Sequence, residues 1–179
     1  MDRRTPARLL LAAAAVLSLA ACGDDEPADT AAPSTTQACE TRSATAEAPA
    51  SVSTDLAEAP VVPSTDAAPP CDLEISDVVV GTGAEAAAGS ATEVKYLGSF
   101  YGSGEEFDSS WSRSAEETLP VTVGAGGVIP GFEQGIEGMA VGGRRMVVIP
   151  SDLGYGPAGR GPIPGDATLV FVIDLVSVS

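Results

Sequence analysis

An antiparallel α+β domain, one short helix closed over by a sheet of five or six strands, is what residues 72–179 predict. Three observations carry this. Segments with the two-residue alternation of strands recur through the region, bounded by glycine and proline. One stretch, Val128 to Arg145, replaces that rhythm with a helical spacing. The 108 residues involved suffice for one core, and so for one domain.

The helix begins at Pro130, which fixes φ, lacks an amide donor and suits a first helical turn. Phe132, Ile136, Met139 and Ala140 then share one helical face, with Glu133, Gln134 and Glu137 turned away. Gly135 and Gly138 weaken the helix and Gly142-Gly143 ends it, so it needs packing to exist. Leu73 to Val80 is the first strand. In Thr92 to Tyr101, Val94, Tyr96 and Gly98 alternate with Glu93, Lys95 and Leu97. Glu106-Phe107-Asp108 begins a third strand that Ser109-Ser110 interrupts. Leu119 to Val123 is the fourth, and Arg144 to Ile149, stopped by Pro150, follows the helix. Thr168 to Val178 is the longest, with Leu169, Phe171, Ile173 and Leu175 on one face. Arg144-Arg145 reads as a solvated face and Trp111 as an exposed loop residue.

The chain before this domain is of another kind. Arg3, Arg4 and Arg8 precede an apolar run from Leu9 to Leu19, the layout of an export signal over residues 1–21. That run is short for a membrane span. Leu19-Ala20-Ala21-Cys22-Gly23 resembles the lipobox of bacterial lipoproteins, which implies cleavage before Cys22 and a diacylglyceryl group on its sulfur. The plain alternative is a secretory signal cleaved near Ala21, leaving a free cysteine. With the lipid, the protein is expected on the extracytoplasmic face of the cell membrane. Residues 22–71 are rich in Ala, Thr, Ser, Pro and acid and hold no aromatic side chain. They are expected to form a disordered tether with a mean reach of roughly 40 Å. Cys39 and Cys71 are an even pair in an exported chain, either a disulfide or two free thiols.

The residue inventory excludes much chemistry. A formal charge of −16 argues against nucleic acid as a partner, because phosphate contacts need a basic surface. There is no histidine, hence no Ser-His-Asp or Cys-His site and no ordinary zinc site. Gly124-Ala125-Gly126-Gly127 lacks the lysine and hydroxyl of a phosphate-binding loop. No metal or cofactor is expected. What remains is an apolar and aromatic set, Tyr96, Phe107, Val128, Ile129, Phe132, Tyr155 and Phe171, with Asp108 beside it and Arg113 nearby. Such a set binds a ligand rather than transferring protons or acyl groups.

Six motifs stand in order along residues 72–179. They are Val94-Lys95-Tyr96, Phe107-Asp108-Ser109-Ser110, Val128-Ile129-Pro130-Gly131-Phe132, Gly138-Met139-Ala140-Val141-Gly142, Leu153-Gly154-Tyr155-Gly156 and Ala167-Thr168-Leu169-Val170-Phe171. Together they resemble the FK506-binding proteins, the FKBP-type peptidyl-prolyl isomerases. The resemblance implies a half-barrel sheet wrapped around the short helix. It also implies acceleration of X-Pro rotation in exported, folding chains. By position, Phe132 is the implied floor of a prolyl pocket, with Tyr96, Phe107 and Phe171 as walls and Val128 and Ile129 at the rim. Leu119, Ile163 and Arg113 complete the expected substrate-binding set. The amide of Ile129 and the hydroxyl of Tyr155 are implied to hold substrate carbonyls, with Asp108 at the pocket edge. FK506-like macrolides are further expected ligands, and the protein is expected to be a monomer. The sequence departs from the family's pattern at Phe132, where many members carry tryptophan, and at Leu119, Gly127 and Arg160. The loop to Ile163 is shortened. These departures bear on substrate preference. The competing reading is a membrane-tethered, proline-recognising chaperone or binding module with little catalysis.

Overall fold

The computed structural model describes residues 38–179; the export signal and Cys22 lie outside the described residues. Six strands form one antiparallel sheet: β1 Glu74–Val79, β2 Ala91–Phe100, β3 Glu106–Ser109, β4 Leu119–Thr122, β5 Arg144–Ile149 and β6 Leu169–Val178. Two helices, α1 Ser110–Arg113 and α2 Pro130–Ile136, and a 3-10 turn, Ser151–Leu153, complete the regular elements. The sheet runs β1-β5-β6-β2-β3. β3 pairs with β2 over Leu97–Ser99, while β4 pairs with its other half over Ala91–Val94.

The sheet curves around α2 as expected. Val94, Phe132, Ile136, Val147, Ile149, Leu169, Phe171, Ile173 and Leu175 are all buried in one cluster on that side. α2 is shorter than its apolar spacing predicts and ends at Ile136. Gly138, at φ 77°, turns the chain out of the helix, and Met139 reaches the same core from beyond it. The helical glycines have a packing role. A Cβ on Gly131 would overlap the Ile149 side chain, and one on Gly135 would lie 2.7 Å from Val147 Cγ2. Glycine therefore lets α2 lie directly on β5. A seven-residue helix has little stability of its own, so this contact is what holds it.

The sheet's other face departs from expectation. Residues 38–71 are not a free tether but a strap laid across it. Cys39 and Cys71 are joined in a disulfide. The Ile75 amide donates to Ala44 O and the Ala46 amide to Ile75 O, so the strap pairs with the edge strand β1. Val52 and Val62 insert against Leu97, Met146, Val148, Val170 and Val172, forming a second core. β6 is consequently buried on both faces from Leu169 to Leu175, where its sequence suggested one. Valines isolated among Ala, Ser and Pro carry no period, which is why the strap reads as disordered. In the chain-entropy picture a crosslink closing a loop of this length stabilises the fold by about 3–4 kcal/mol. Because the strap packs on the sheet, that constraint acts on the whole domain.

Arg144 and Arg145 do not form a solvated face. Arg144 is completely buried and forks onto Asp174, with Nε donating to Oδ1 at 2.6 Å and Nη2 to Oδ2 at 2.7 Å. It also donates to the strap carbonyls of Ser53, Asp55 and Glu58 at 2.8, 3.1 and 2.9 Å. A guanidinium stays charged, so a buried one needs its donors filled, and here sheet and strap share that task. Burial raises the pKa of the Asp174 carboxyl, and Arg144 pulls it back. Arg145 pairs with Asp77 of β1 and donates to Gly135 O and Glu137 O at the end of α2. Trp111 is half-buried in α1, with Lys95 Nζ 4.2 Å from its ring centroid, rather than exposed in a loop. Arg144→Met should lower unfolding free energy in urea by about 3 kcal/mol, because it strands Asp174 and three strap carbonyls. The same variant should speed proteolytic cutting within residues 38–71. Unchanged stability and cutting would contradict the clamp.

Candidate active site

The pocket begins with alternation on β2 and β6. Tyr96 faces the helix side, paired in register with Ile173, and two residues on, Gly98 pairs with Phe171. Phe107 comes from β3 and Phe132 from the first turn of α2. The rings meet edge to face: Phe132 and Phe171 at 5.1 Å and 84°, Tyr96 and Phe132 at 5.9 Å and 88°, Phe107 and Phe171 at 5.6 Å and 82°. Gly98 gives them room, since a Cβ there would lie 2.8 Å from both Phe107 and Phe171. Among them opens a cavity of about 490 Å³ that reaches solvent. Leu119, Val128, Ile129, Pro130, Tyr155, Asp108, Arg160, Gly126 and Gly127 complete its wall.

Asp108 is held at the edge by two partners. The Tyr96 hydroxyl donates to Oδ2 at 2.6 Å, and Arg113 donates to Oδ1. Arg113 also reaches Tyr96 Oη at 3.1 Å and pairs with Glu117. The Arg113 and Asp108 side chains are 42% and 47% exposed, so their ion pair fixes geometry more than it adds stability. Ser109 and Ser110 build this arrangement. Ser109 caps α1 by accepting from the Trp111 amide, and Ser110 Oγ accepts the Tyr96 amide at 3.0 Å in place of a strand partner. The pair therefore does more than interrupt β3: it folds α1 back so that Arg113 meets Asp108. Burial raises the Tyr96 phenol pKa, and its bond to Asp108 raises it further. With its pKa raised, the phenol keeps its proton through the neutral range, and the bond is lost only as pH climbs through the raised value.

Most of the residues singled out by sequence converge here. Asp108, Tyr155, Ile129, Tyr96, Phe107, Leu119, Val128, Phe132 and Phe171 all line the cavity. Two do not. Arg113 stands behind Asp108. Ile163 is only 7% exposed and lies in the core cluster rather than the wall, with its backbone paired to Arg160. Ile129 is the N-cap of α2, so its amide is not consumed by the helix. The Tyr155 hydroxyl makes no hydrogen bond among the described residues, following the 3-10 turn between Gly154 and Gly156. Glu133 was missed: its Oε1 accepts from the Gly126 and Gly127 amides at 2.8 and 3.2 Å, tying the mouth loop to α2. An acid three residues past Pro130, after a glycine-rich loop, was the available signal.

An aromatic, partly open pocket beside one oriented carboxylate suits a proline ring and its flanking carbonyls. Comparison with known proteins agrees. The family model for FKBP-type peptidyl-prolyl cis-trans isomerase matches residues 83–176. A probable FK506-binding protein of Corynebacterium glutamicum is 50% identical over 108 residues, 60% of this chain and 88% of that protein. An FK506-binding protein of Streptomyces anulatus is 49% identical over 112 residues, 62% of this chain and 89% of its own length. The crystal structure of AtFKBP13 superposes with a TM-score of 0.56 at 35% identity, covering 62% of this chain and 96% of that one. Sequence, fold and pocket place this chain in the FKBP-type peptidyl-prolyl cis-trans isomerase family.

Proposed function

We propose that this isomerase acts without proton transfer or covalent chemistry, by binding the twisted prolyl amide better than the planar one. The single observation that carries the reading is the open aromatic cavity with Asp108 fixed at its edge by Tyr96 and Arg113. An X-Pro bond resists rotation because resonance sets a barrier of roughly 20 kcal/mol. Half-way through rotation that resonance is gone, and the amide's charge separation falls. A water-poor site solvates the twisted form relatively better, which is differential binding of the transition state. Phe132 carries the prolyl ring between Tyr96, Phe107 and Phe171. The Ile129 amide and the Tyr155 hydroxyl hold the flanking carbonyls, so that one side of the bond stays still. Asp108 repels the electron-rich oxygen of the planar amide more than the depleted oxygen of the twisted one.

The location belongs to the same proposal. Residues 1–21 direct export, Cys22 carries the lipid, and the domain works on proline-containing chains folding outside the cell membrane. Two or more acyl chains anchor stably where one does not. FK506-like macrolides, which the family binds, compete for the same cavity.

Two outcomes check this. Asp108→Val, at a half-exposed side chain, should leave binding of a proline peptide in place. It should lower kcat/KM in a peptide isomerisation assay by about tenfold, ~1.4 kcal/mol of barrier. Equal rates for the wild type and Asp108→Val would remove the role of Asp108, and equal rates for the wild type and Asp108→Val combined with Phe132→Ala would leave only the role of a proline-binding module. Cys22→Ser should move the protein from the membrane fraction to the soluble one, and retention on membranes would remove the lipid anchor.

A further inference from the structure

Arg160 lines the cavity, yet its side chain makes no ion pair or hydrogen bond among the described residues. It is exposed, and it is held in place by its backbone. The Arg160 amide donates to Ile163 O and the Ile163 amide to Arg160 O, both at 2.9 Å. Ile163, buried in the core, pins this tight bridge from below. Gly159, at φ 64°, has no room for a Cβ against the Ile163 carbonyl, so the loop closes on itself. Asp108 is the other charged side chain on the cavity wall. Asp108 and Glu117 share Arg113, and the Glu133 carboxylate accepts the Gly126 and Gly127 amides. Among the described residues, Arg160 is thus left as a cation without a partner beside the apolar pocket, on a backbone held by the bridge to Ile163.

We propose that Arg160 makes the enzyme prefer substrates with an acidic residue flanking the proline. The inference rests on the isomerase reading and adds a substrate class to it. Such a carboxylate reaches the guanidinium while the prolyl ring occupies the aromatic floor, and a lysine at the same place is repelled. The chain's formal charge of −16 opposes anions at long range. At physiological salt, however, exposed charges more than about 8 Å apart are largely screened, so the nearest fixed charge decides.

The test uses the exported domain with its strap, as wild type, Arg160→Gln and Arg160→Glu. The peptides are identical apart from Glu, Leu or Lys placed before the proline, and in a second series after it. The readout is the ratio of kcat/KM values within each protein. Wild type should favour Glu over Lys in at least one series by about two- to fivefold, the upper part of the range for an exposed charge contact. The ratio should fall towards one in Arg160→Gln and invert in Arg160→Glu, and rising salt should flatten it. A loss of packing in the loop would not invert a charge preference. Turnover with the same Glu-to-Lys ratio in all three proteins overturns the Arg160 assignment alone. Failure of wild type to turn over even the Leu peptides overturns the isomerase reading, and this inference with it.

Discussion

The seating of α2 on β5 is the contact on which the rest of the molecule depends. Gly131 lies against Ile149 and Gly135 against Val147 at distances that no larger residue permits. Only with the helix this deep does Phe132 reach Phe171 and Tyr96 edge to face. The same depth puts Ile129 at the N-cap, on the cavity wall. Arg145 closes the other end of α2, holding its last carbonyls and reaching Asp77 on β1. A helix too short to persist in water is thereby made rigid, and the pocket floor inherits that rigidity.

The strap extends the same logic to the back of the sheet. β5 is buried along its whole length, so its outward side chains need a cover as much as its inward ones. Residues 38–71 supply it with few apolar groups, Val52 and Val62 chief among them. A clamp at Arg144 and a disulfide at Cys39 and Cys71 hold it there. Arg144 links the two layers directly, because its guanidinium is shared between Asp174 in β6 and carbonyls of the strap. The folded unit of this protein therefore includes the strap from Cys39 onward, well ahead of the first strand.

Much of this was legible in the sequence, for physical reasons. Alternation along β2 and β6 fixed which side chains face the helix, and all six strands lie within a few residues of where turn residues and β-branched runs placed them. The aromatic set and Asp108 converge because those faces converge. What escaped was whatever depends on non-local pairing. The strap has no period of its own, so only the sheet it covers reveals it. A double arginine at a strand start looks solvated until Asp174 and Asp77 are found opposite. Glycines that seem to weaken α2 prove to be the condition for its packing. Ile163 joins the core cluster instead of the wall, a choice between two apolar surroundings that residue type alone does not decide.

The central claim is that an apolar hollow beside an oriented carboxylate lowers a rotational barrier while no proton moves and no bond forms. The solvent deuterium isotope effect on kcat/KM for a proline peptide tests it most directly. Rates in light and heavy water should differ by a factor of about one, since no proton is in flight at the transition state. A normal effect of about two or more would mean general acid–base participation and would contradict it.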